Sequence, residues 1–573
     1  MARSVPEVAD EFAGADLGDA RLSRRLVRIA GCLAVAPAAG FPKAAGSDGE
    51  LEGVYRFLGN GRVTPASILT PHFERTLERI GGRSPIVVHD TTSLGFGGTS
   101  RREGLGRINK SGQGQGFFAH MAMAVAADGS REPQGIVGLH TFVRGPAKSN
   151  AKRRRTNTTH ERTRWAELAL KVEERLPHPI HVMDREADSY ETIDTLAQAG
   201  ARFVIRIWHD RALAGDVDER LFSAADRGEV FVERTVPLSR RQTSPRAAER
   251  KIHPPRAERN ARLRIRAASL EIARPKLARL VTHSPTLRVN VVTVEEVGTP
   301  KGVEPVSWRL FTTEPIDTVS EVEAVVDFYR ARWTIEEFFK ALKSGCALER
   351  RQLESYRALV NALAMFVVIA WRILLLRTVA RVRPEAPASD ALNEEQVRVL
   401  QAVAKLGEPR LPKLDIPSDP TAQDALRAVA QLGGPDGGGP LARFVPGHEA
   451  LARRVGFVVA ADQAGGVAVA RRGHAALDLG DDLDGGAEGG DVVAGADDAD
   501  LRAFGDRAGQ AGGAAQQRSE GPGAEHDQQR DEEGEHARGD GSERPGAAGG
   551  DSGLQVGLLE VAGGALAQAG AED

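Results

Sequence analysis

Tyr329-Arg330-Ala331-Arg332-Trp333-Thr334-Ile335-Glu336-Glu337-Phe338-Phe339-Lys340-Ala341-Leu342-Lys343 is the most informative stretch of the chain. Its spacing predicts the end of a long helix running from Val319 to about Lys343. At about 100° per residue, Tyr329, Arg332, Glu336, Lys340 and Lys343 share a narrow stripe. Ile335, Phe338 and Leu342 fall on the opposite side, which must pack. One face then offers a carboxylate, a guanidinium, two amines and a phenol. That mixture suits a cation beside a phosphate, with the glutamate on the metal and the basic groups on phosphate oxygens. An ordinary amphipathic helix with an Arg332–Glu336 ion pair explains the same residues without any chemistry.

Upstream, the pattern is α/β. Pro85 to His89 reads as a short strand ending at Asp90, and Pro179 to Met183 as another ending at Asp184. Between them, Phe117 to Ala126 and Gly135 to Val143 read as strands around a turn at Asp128-Gly129, followed by a helix from Trp165 to Arg175. A helix from Thr192 to Ala199 and a strand from Arg202 to Ile207 come next. Carboxylates at strand ends can face a shared cleft. Two aspartates and a helix glutamate make the oxygen-rich set that a pair of divalent cations needs for phosphodiester chemistry. Asp188 competes with Asp184 for this role, and Glu186 and Glu337 are weaker candidates.

From about 210 to 305 the chain is irregular and reads as an insertion. It carries a basic run (Arg240, Arg241, Arg246, Arg250, Lys251, Arg256, Arg259, Arg262, Arg264 and Arg266) and strand-like pieces at Leu287 to Val294 and Val306 to Thr312. Gln352 to Ala380 reads as a buried apolar helix, too short in its apolar run and too charged at its end to cross a bilayer. Ala422 to Leu432 reads as a last short helix. Near the N-terminus, Asp19 caps a helix whose Leu22, Leu26, Ile29, Ala30 and Leu33 form one face and Arg21, Arg24, Arg25 and Arg28 the other. Four arginines with no acid among them suit a phosphate-contacting face.

The formal net charge of -3 averages two unlike parts. The 143 residues from Gln431 onward hold 11 basic and 26 acidic side chains, net -15, which leaves +12 on the preceding 430. A basic body fits a polyanion partner. Beyond Gly434 the chain is rich in Gly, Ala, Asp, Glu and Arg and lacks Lys, Ile, Thr, Asn, Tyr, Trp and Met. That composition predicts a low-complexity tail, disordered or read out of frame. Cys32 and Cys346 are expected to be buried thiols in a reducing compartment. The first twenty residues contain no apolar leader. Gly112 to Gly116 lacks the Lys-Ser/Thr of a P-loop and reads as a flexible connection. Lys148 to Arg155 reads as a basic loop, and His89, His120 and His140 show no zinc spacing.

The chain resembles the bacterial DDE insertion-sequence transposases that carry a Tyr-Arg-Glu-Lys signature, the IS-four type of which the Tn-five transposase is a member. Y-x2-R-x3-E-x6-K fits Tyr329, Arg332, Glu336 and Lys343. His89-Asp90-Thr91-Thr92 resembles the first-aspartate motif, and Met183-Asp184-Arg185-Glu186-Ala187-Asp188 the second, which selects Asp184 over Asp188. Leu17-Gly18-Asp19 with Arg21 and Arg25, and Glu52 to Phe57 with Arg56, resemble the end-binding domain; Arg206 and Trp308 also have counterparts.

The resemblance implies a ribonuclease-H-like core with a β-rich insertion, flanked by helical regions. It divides the chain into 1–68 (end binding), 69–350 (catalysis, with the insertion at about 210–305), 351–434 (helical) and 435–573 (tail). It implies two Mg²⁺ (or Mn²⁺) ions held by Asp90, Asp184 and Glu336. It implies cutting at transposon ends, a hairpin intermediate, and strand transfer into target DNA. Trp308 would stack a flipped base while Arg206, Tyr329, Arg332 and Lys343 grip phosphates. The partners implied are double-stranded DNA, as inverted-repeat ends and target, and a second copy in a paired-end complex. No membrane is implied; the place of action is the bacterial cytoplasm, on the nucleoid. The alternative is an inactive relic that binds ends as an inhibitor, because the acidic tail stands where the family has a segment that pairs subunits.

Overall fold

The computed structural model describes residues 7–35, 37–98, 100–108, 114–144, 151–176, 178–215, 218–238, 257–277, 280–406, 415–432, 457–461 and 467–471. At its centre is one mixed sheet. Strands β1 (Ile86–Phe96), β2 (Gly106–Arg107), β3 (Gln115–Val125), β4 (Pro133–Phe142), β5 (Ile180–Met183) and β6 (Arg202–Arg206) form its core. Strands β7 (Glu229–Leu238), β8 (Arg259–Ala273), β9 (Thr286–Val297) and β10 (Ser307–Thr312) follow. The spatial order is β2-β3-β1-β5-β6-β10-β9-β8-β7, with β4 also on β3. β1, β3 and β4 are antiparallel, whereas β5 runs parallel to β1 and β6 parallel to β5. That arrangement is the ribonuclease-H-like core that the family resemblance implies.

Period-2 patterning places the sheet between two helical layers. Ile86, Val88, Met121 and Met123 face one side, and Val87, Ala122 and Ala124 the other. The first side meets α8 (Val319–Ala331), α9 (Trp333–Lys340) and α10 (Tyr356–Val382). The second meets α5 (Ala151–Glu173) and, further along the sheet, α6 (Tyr190–Gln198) and α7 (Leu221–Asp226). A tight turn joins β3 to β4 at Asp128-Gly129, where Gly129 takes φ +85°, a region open to glycine at little steric cost.

The structure corrects several expectations. Asp90 does not end its strand, because β1 pairs with β3 through Phe96. The pairing that ends is with β5, which covers Ile86 to Val88 and leaves that edge open beside Asp90. The β-rich stretch from about 210 to 305 continues the central sheet, because β10 joins β6 to β9. β8 alternates buried Ala261, Leu263 and Ile265 with arginines, the strand pattern that the basic composition hid. Within it Arg259 pairs with Glu296, and Arg262 and Arg264 with Glu233, so these cations are already neutralised. The basic run from Arg240 to Arg256 lies outside the described residues. Ala151 to Arg155 is helical rather than a loop, being the start of α5. Cys346 is fully buried but Cys32 only partly. The tail beyond 434 lies outside the described residues except for a hairpin, Phe457–Ala461 with Val467–Arg471. Those two short apolar segments are richer in valine than the bulk composition suggests.

The N-terminal helices α1 (Ala20–Val35), α2 (Phe41–Ala44), α3 (Asp48–Gly59) and α4 (Pro65–Ile80) share the core beneath α10. α10 is long and apolar enough to cross a bilayer, yet its apolar window is wholly buried within the protein. Its Asn361 is buried and donates from Nδ2 to the carbonyls of Leu58 (2.9 Å) and Val63 (3.1 Å). Asn361→Leu leaves both carbonyls unpaired and is expected to cost about 1–3 kcal/mol, read by urea denaturation. A second tie lies nearby, where the short 3-10 turn Asp10–Phe12 buries Glu11 completely. Its carboxylate accepts from His72 Nδ1 (2.6 Å) and from Arg79 Nη1 (2.6 Å). Arg79 also donates to Gln134 O and covers the Trp371 ring at 4.4 Å.

Candidate active site

The signature helix is not continuous. α8 and α9 meet at Arg332, where Arg332 N donates to Tyr329 O and Ile335 N to Arg332 O, a locally tightened turn. After Lys340 the backbone widens into a π-type turn, Ala341–Gly345, closed by Cys346 N on Ala341 O at 2.8 Å. Such turns re-aim side chains. The five-residue stripe drawn from an ideal helix therefore splits. Tyr329 (2 % exposed) and Arg332 (3 %) point inward, Glu336 and Lys343 are half-buried, and Lys340 is exposed.

Arg332 organises what remains. Its Nη1 lies 3.3 Å from Asp90 Oδ2 and its Nη2 2.5 Å from Glu336 Oε1. One guanidinium from the α8–α9 junction thus clasps a strand carboxylate and a helix carboxylate. Asp184 directly follows β5, the parallel neighbour of β1, and accepts from Glu186 N at 2.8 Å. Burial pushes the Asp90 carboxyl well above its ordinary range. The Asp184 charge pushes it further, Arg332 opposes, and Glu336 adds to the rise. The three acids therefore act on one another. Lys343 belongs to the same neighbourhood: burial lowers its ammonium, while Glu349 and Asp90 pull it back up.

The charge balance decides whether a metal fits. Three carboxylates near one guanidinium leave surplus negative charge in a poorly hydrated place, and oxygen donors of this kind suit Mg²⁺ or Mn²⁺. In the present arrangement, no group of three or more His, Cys, Asp or Glu among the described residues is close enough to hold a metal ion. The Arg332 guanidinium balances part of that charge by pairing with Asp90 and Glu336, and these two acids with Asp184 would hold the cation. The donor chemistry fits, and the side-chain positions are those of a clasped state.

Neighbouring acids have other work. Asp188 is buried and ion-paired with Arg211 at 2.5 Å. Burial raises its carboxyl, but His209 and Arg211 outweigh this and lower it. Glu337 is buried against Arg377 and Arg381 of α10, so it docks α9 onto the core. On the far face of β1, His89, His120 and His181 form a buried cluster whose first two members are held neutral, chiefly by burial.

The remaining sequence candidates divide between two places. Trp308 is buried (3 % exposed), with its ring edge-to-face with Tyr329 at 5.1 Å. Arg206 donates to the adjoining Ser307 O at 3.4 Å. Arg21, Arg24, Arg25 and Arg28 line a cleft of about 510 Å³ between α1 and α3. Gly53 makes room there for the Arg25 guanidinium, which any side chain would meet. Arg28 is paired with Glu50, and Arg56 with Glu52 at 2.5 Å. Sequence reasoning missed Arg164. From α5 it donates to Thr91 Oγ1 (3.2 Å) and Glu186 Oε2 (2.7 Å), bracing the segments that carry Asp90 and Asp184. It stands just before the helix expected from Trp165 to Arg175, so no spacing marked it.

Comparison with known families agrees with this geometry. Residues 82–372 match the family model described as the transposase DDE domain, and residues 7–63 match transposase DNA-binding. The first match spans β1, β5 and the α8–α9 helices with all three acids; the second spans the arginine-lined cleft. A DDE domain over half of the chain, preceded by its DNA-binding domain, makes this protein a member of the DDE transposases, metal-dependent nucleases and strand transferases acting on DNA.

Proposed function

We propose that the chain is a cut-and-paste transposase of the Tyr-Arg-Glu-Lys insertion-sequence type, with Asp90, Asp184 and Glu336 as its catalytic carboxylates. The observation that carries this is the convergence of Asp90 and Glu336 on Arg332, with Asp184 acting on the same charge balance. These three acids would hold two Mg²⁺ (or Mn²⁺) ions. When bound, the ions supply an activated water and neutralise charge on the leaving oxygen. Arg332, Lys343, Tyr329 and Arg206 then position phosphates near the cut; they fix the backbone and read no sequence. The freed 3′-hydroxyl attacks a phosphodiester of the opposite strand, so that the hairpin ester forms as the bond to the flanking strand's 3′-oxygen breaks, and water reopens the hairpin before insertion into target DNA. Stacking of a flipped base on Trp308 requires Tyr329 to move off the indole.

The division of labour follows the sequence reading: 1–68 grips inverted-repeat ends through Arg21, Arg25 and Arg56, 69–350 cuts and joins, and 351–434 supports the core. Two copies pair the ends, on nucleoid DNA in the cytoplasm. A second reading, an end-binding relic that inhibits without cutting, is favoured by the acidic tail.

Incubation with the element's own inverted repeats and Mg²⁺ separates the two. Nicked and hairpin products support the transposase. Binding without cutting, by a protein of monomeric mass, supports the relic. Arg21→Ala with Arg25→Ala is expected to weaken end binding evenly across sequences. The log K against log salt slope should shrink by about two, measured by fluorescence anisotropy. An unchanged slope would remove these residues from the DNA contact.

A further inference from the structure

Trp208 is 61 % exposed, whereas Trp165, Trp308 and Trp371 are buried and Trp333 is half-buried. Water-facing indole is costly, and the backbone that carries this one is tied down. Trp208 follows β6 by two residues. Its backbone N donates to Asp188 Oδ2 at 2.6 Å, and the next amide, His209 N, donates to the same oxygen at 2.8 Å. Asp188 is itself fixed by Arg211, which also donates to the Asp188 and His209 carbonyls. Asp188 belongs to the short turn that begins at Asp184, so a single buried carboxylate ties the Trp208 loop to the Asp184 loop. Arg185, the residue after Asp184, lies 4.9 Å over the Trp208 ring.

We infer that Arg185 and Trp208 form a stacking platform for a nucleobase of a DNA strand entering the acid site, distinct from the buried Trp308. A base presents a flat π-face whatever its identity. An indole backed by a guanidinium offers a matching face, with positive charge beside it for the neighbouring phosphate. The Asp188 tie makes the platform move with Asp184, so a base stacked there keeps its phosphate in register with the carboxylates. The base belongs either to the cut end or to the target strand. The inference rests on the proposed placement of Asp184 in the cutting site.

Acrylamide quenching of tryptophan fluorescence tests this on the full chain, since Trp208 is the most exposed of the five indoles. Ends bearing an unpaired terminal base are expected to shield the quenchable fraction if the base comes from the element. Target duplex with an unpaired base shields it if the base comes from the target. Trp208→Ala should remove the shielding and weaken the preferred DNA roughly 5- to 150-fold. Trp208→Phe should keep a substantial part of that affinity. Full quenching with every DNA and unchanged affinity of Trp208→Ala overturn the platform. Shielding that appears with protein concentration alone, without DNA, also overturns it and marks a protein contact. In parallel, Asp184→Asn should abolish cutting. If it still cuts, the site assignment fails, and the platform is judged by the quenching alone.

Discussion

Asp90→Asn is expected to lower strand cleavage at transposon ends by on the order of 10³-fold or more, equivalent to about 4 kcal/mol of barrier. The amide matches the carboxylate in shape and still accepts a hydrogen bond from Arg332. It lacks the negative charge needed to hold a divalent cation. The loss should not come from unfolding. Burial, Asp184 and Glu336 raise the Asp90 carboxyl well above its ordinary value. An acid raised in the folded state costs stability as pH climbs from its unfolded value to its folded one. Replacing it with a neutral amide removes that cost, so the metal-free variant should melt at the same temperature as the parent or higher. End binding through α1 should be unchanged. Cleavage within tenfold of the parent, measured in Mg²⁺ on a labelled end, would exclude Asp90 from the chemistry.

The largest stability effect is expected at Glu11. Burial by itself would raise this carboxyl, but His72 and Arg79 together hold it down at about 2, against 4.5 for an ordinary glutamate. His72 is kept neutral by burial, and Ile136 N–H donates to its Nε2 at 3.0 Å, so the proton sits on Nδ1 and faces Glu11. The charge partner is therefore Arg79, with His72 acting as a hydrogen-bond donor. Glu11→Ala takes the buried carboxylate from Arg79, leaving it the Gln134 carbonyl, the Thr76 hydroxyl and the Trp371 ring, and removes a charge that the buried Arg372 also feels. Breaking a buried pair in this way costs about 3–5 kcal/mol. Glu11→Gln should cost less, because it keeps an acceptor for His72. In the parent protein the lowered carboxyl contributes roughly 3 kcal/mol that is complete above pH 4.5. That contribution is lost as pH falls from 4.5 toward about 2. Urea titrations at pH 7, 4 and 2.5 read both effects. A parent curve unchanged between pH 7 and 2.5, or a Glu11→Ala midpoint equal to the parent's, would show the cluster to be dispensable.

Periodic features were legible in advance. The β3–β4 hairpin, the strand leading to Asp184 and the buried α10 follow from apolar runs bounded by turn residues or charges, and the arginine face of α1 from apolar residues recurring at 3.6 positions. Asp19 caps α1, and its Oδ1 accepts from Arg21 N at 2.8 Å. β7 and β8 were hidden because arginines fill the outward positions of β8 and their acidic partners come from other strands. The break at Arg332 was hidden for a related reason: helical periodicity assumes one uniform pitch, and both the tightened turn and the π-type turn depend on what the backbone meets.

Sequence alone determined the residue types proposed to carry the chemistry, their order, and an α/β pattern with a strand leading to each of Asp90 and Asp184. It could do so because local spacing dictates which side chains share a face. Tertiary structure alone decided that Arg332 turns inward to hold Asp90 and Glu336, that Trp308 lies under Tyr329 while Trp208 faces water, and that Asp188 ties two loops together. Those outcomes depend on charge and burial supplied by segments far apart in the chain, and such contacts leave no periodic trace in the sequence.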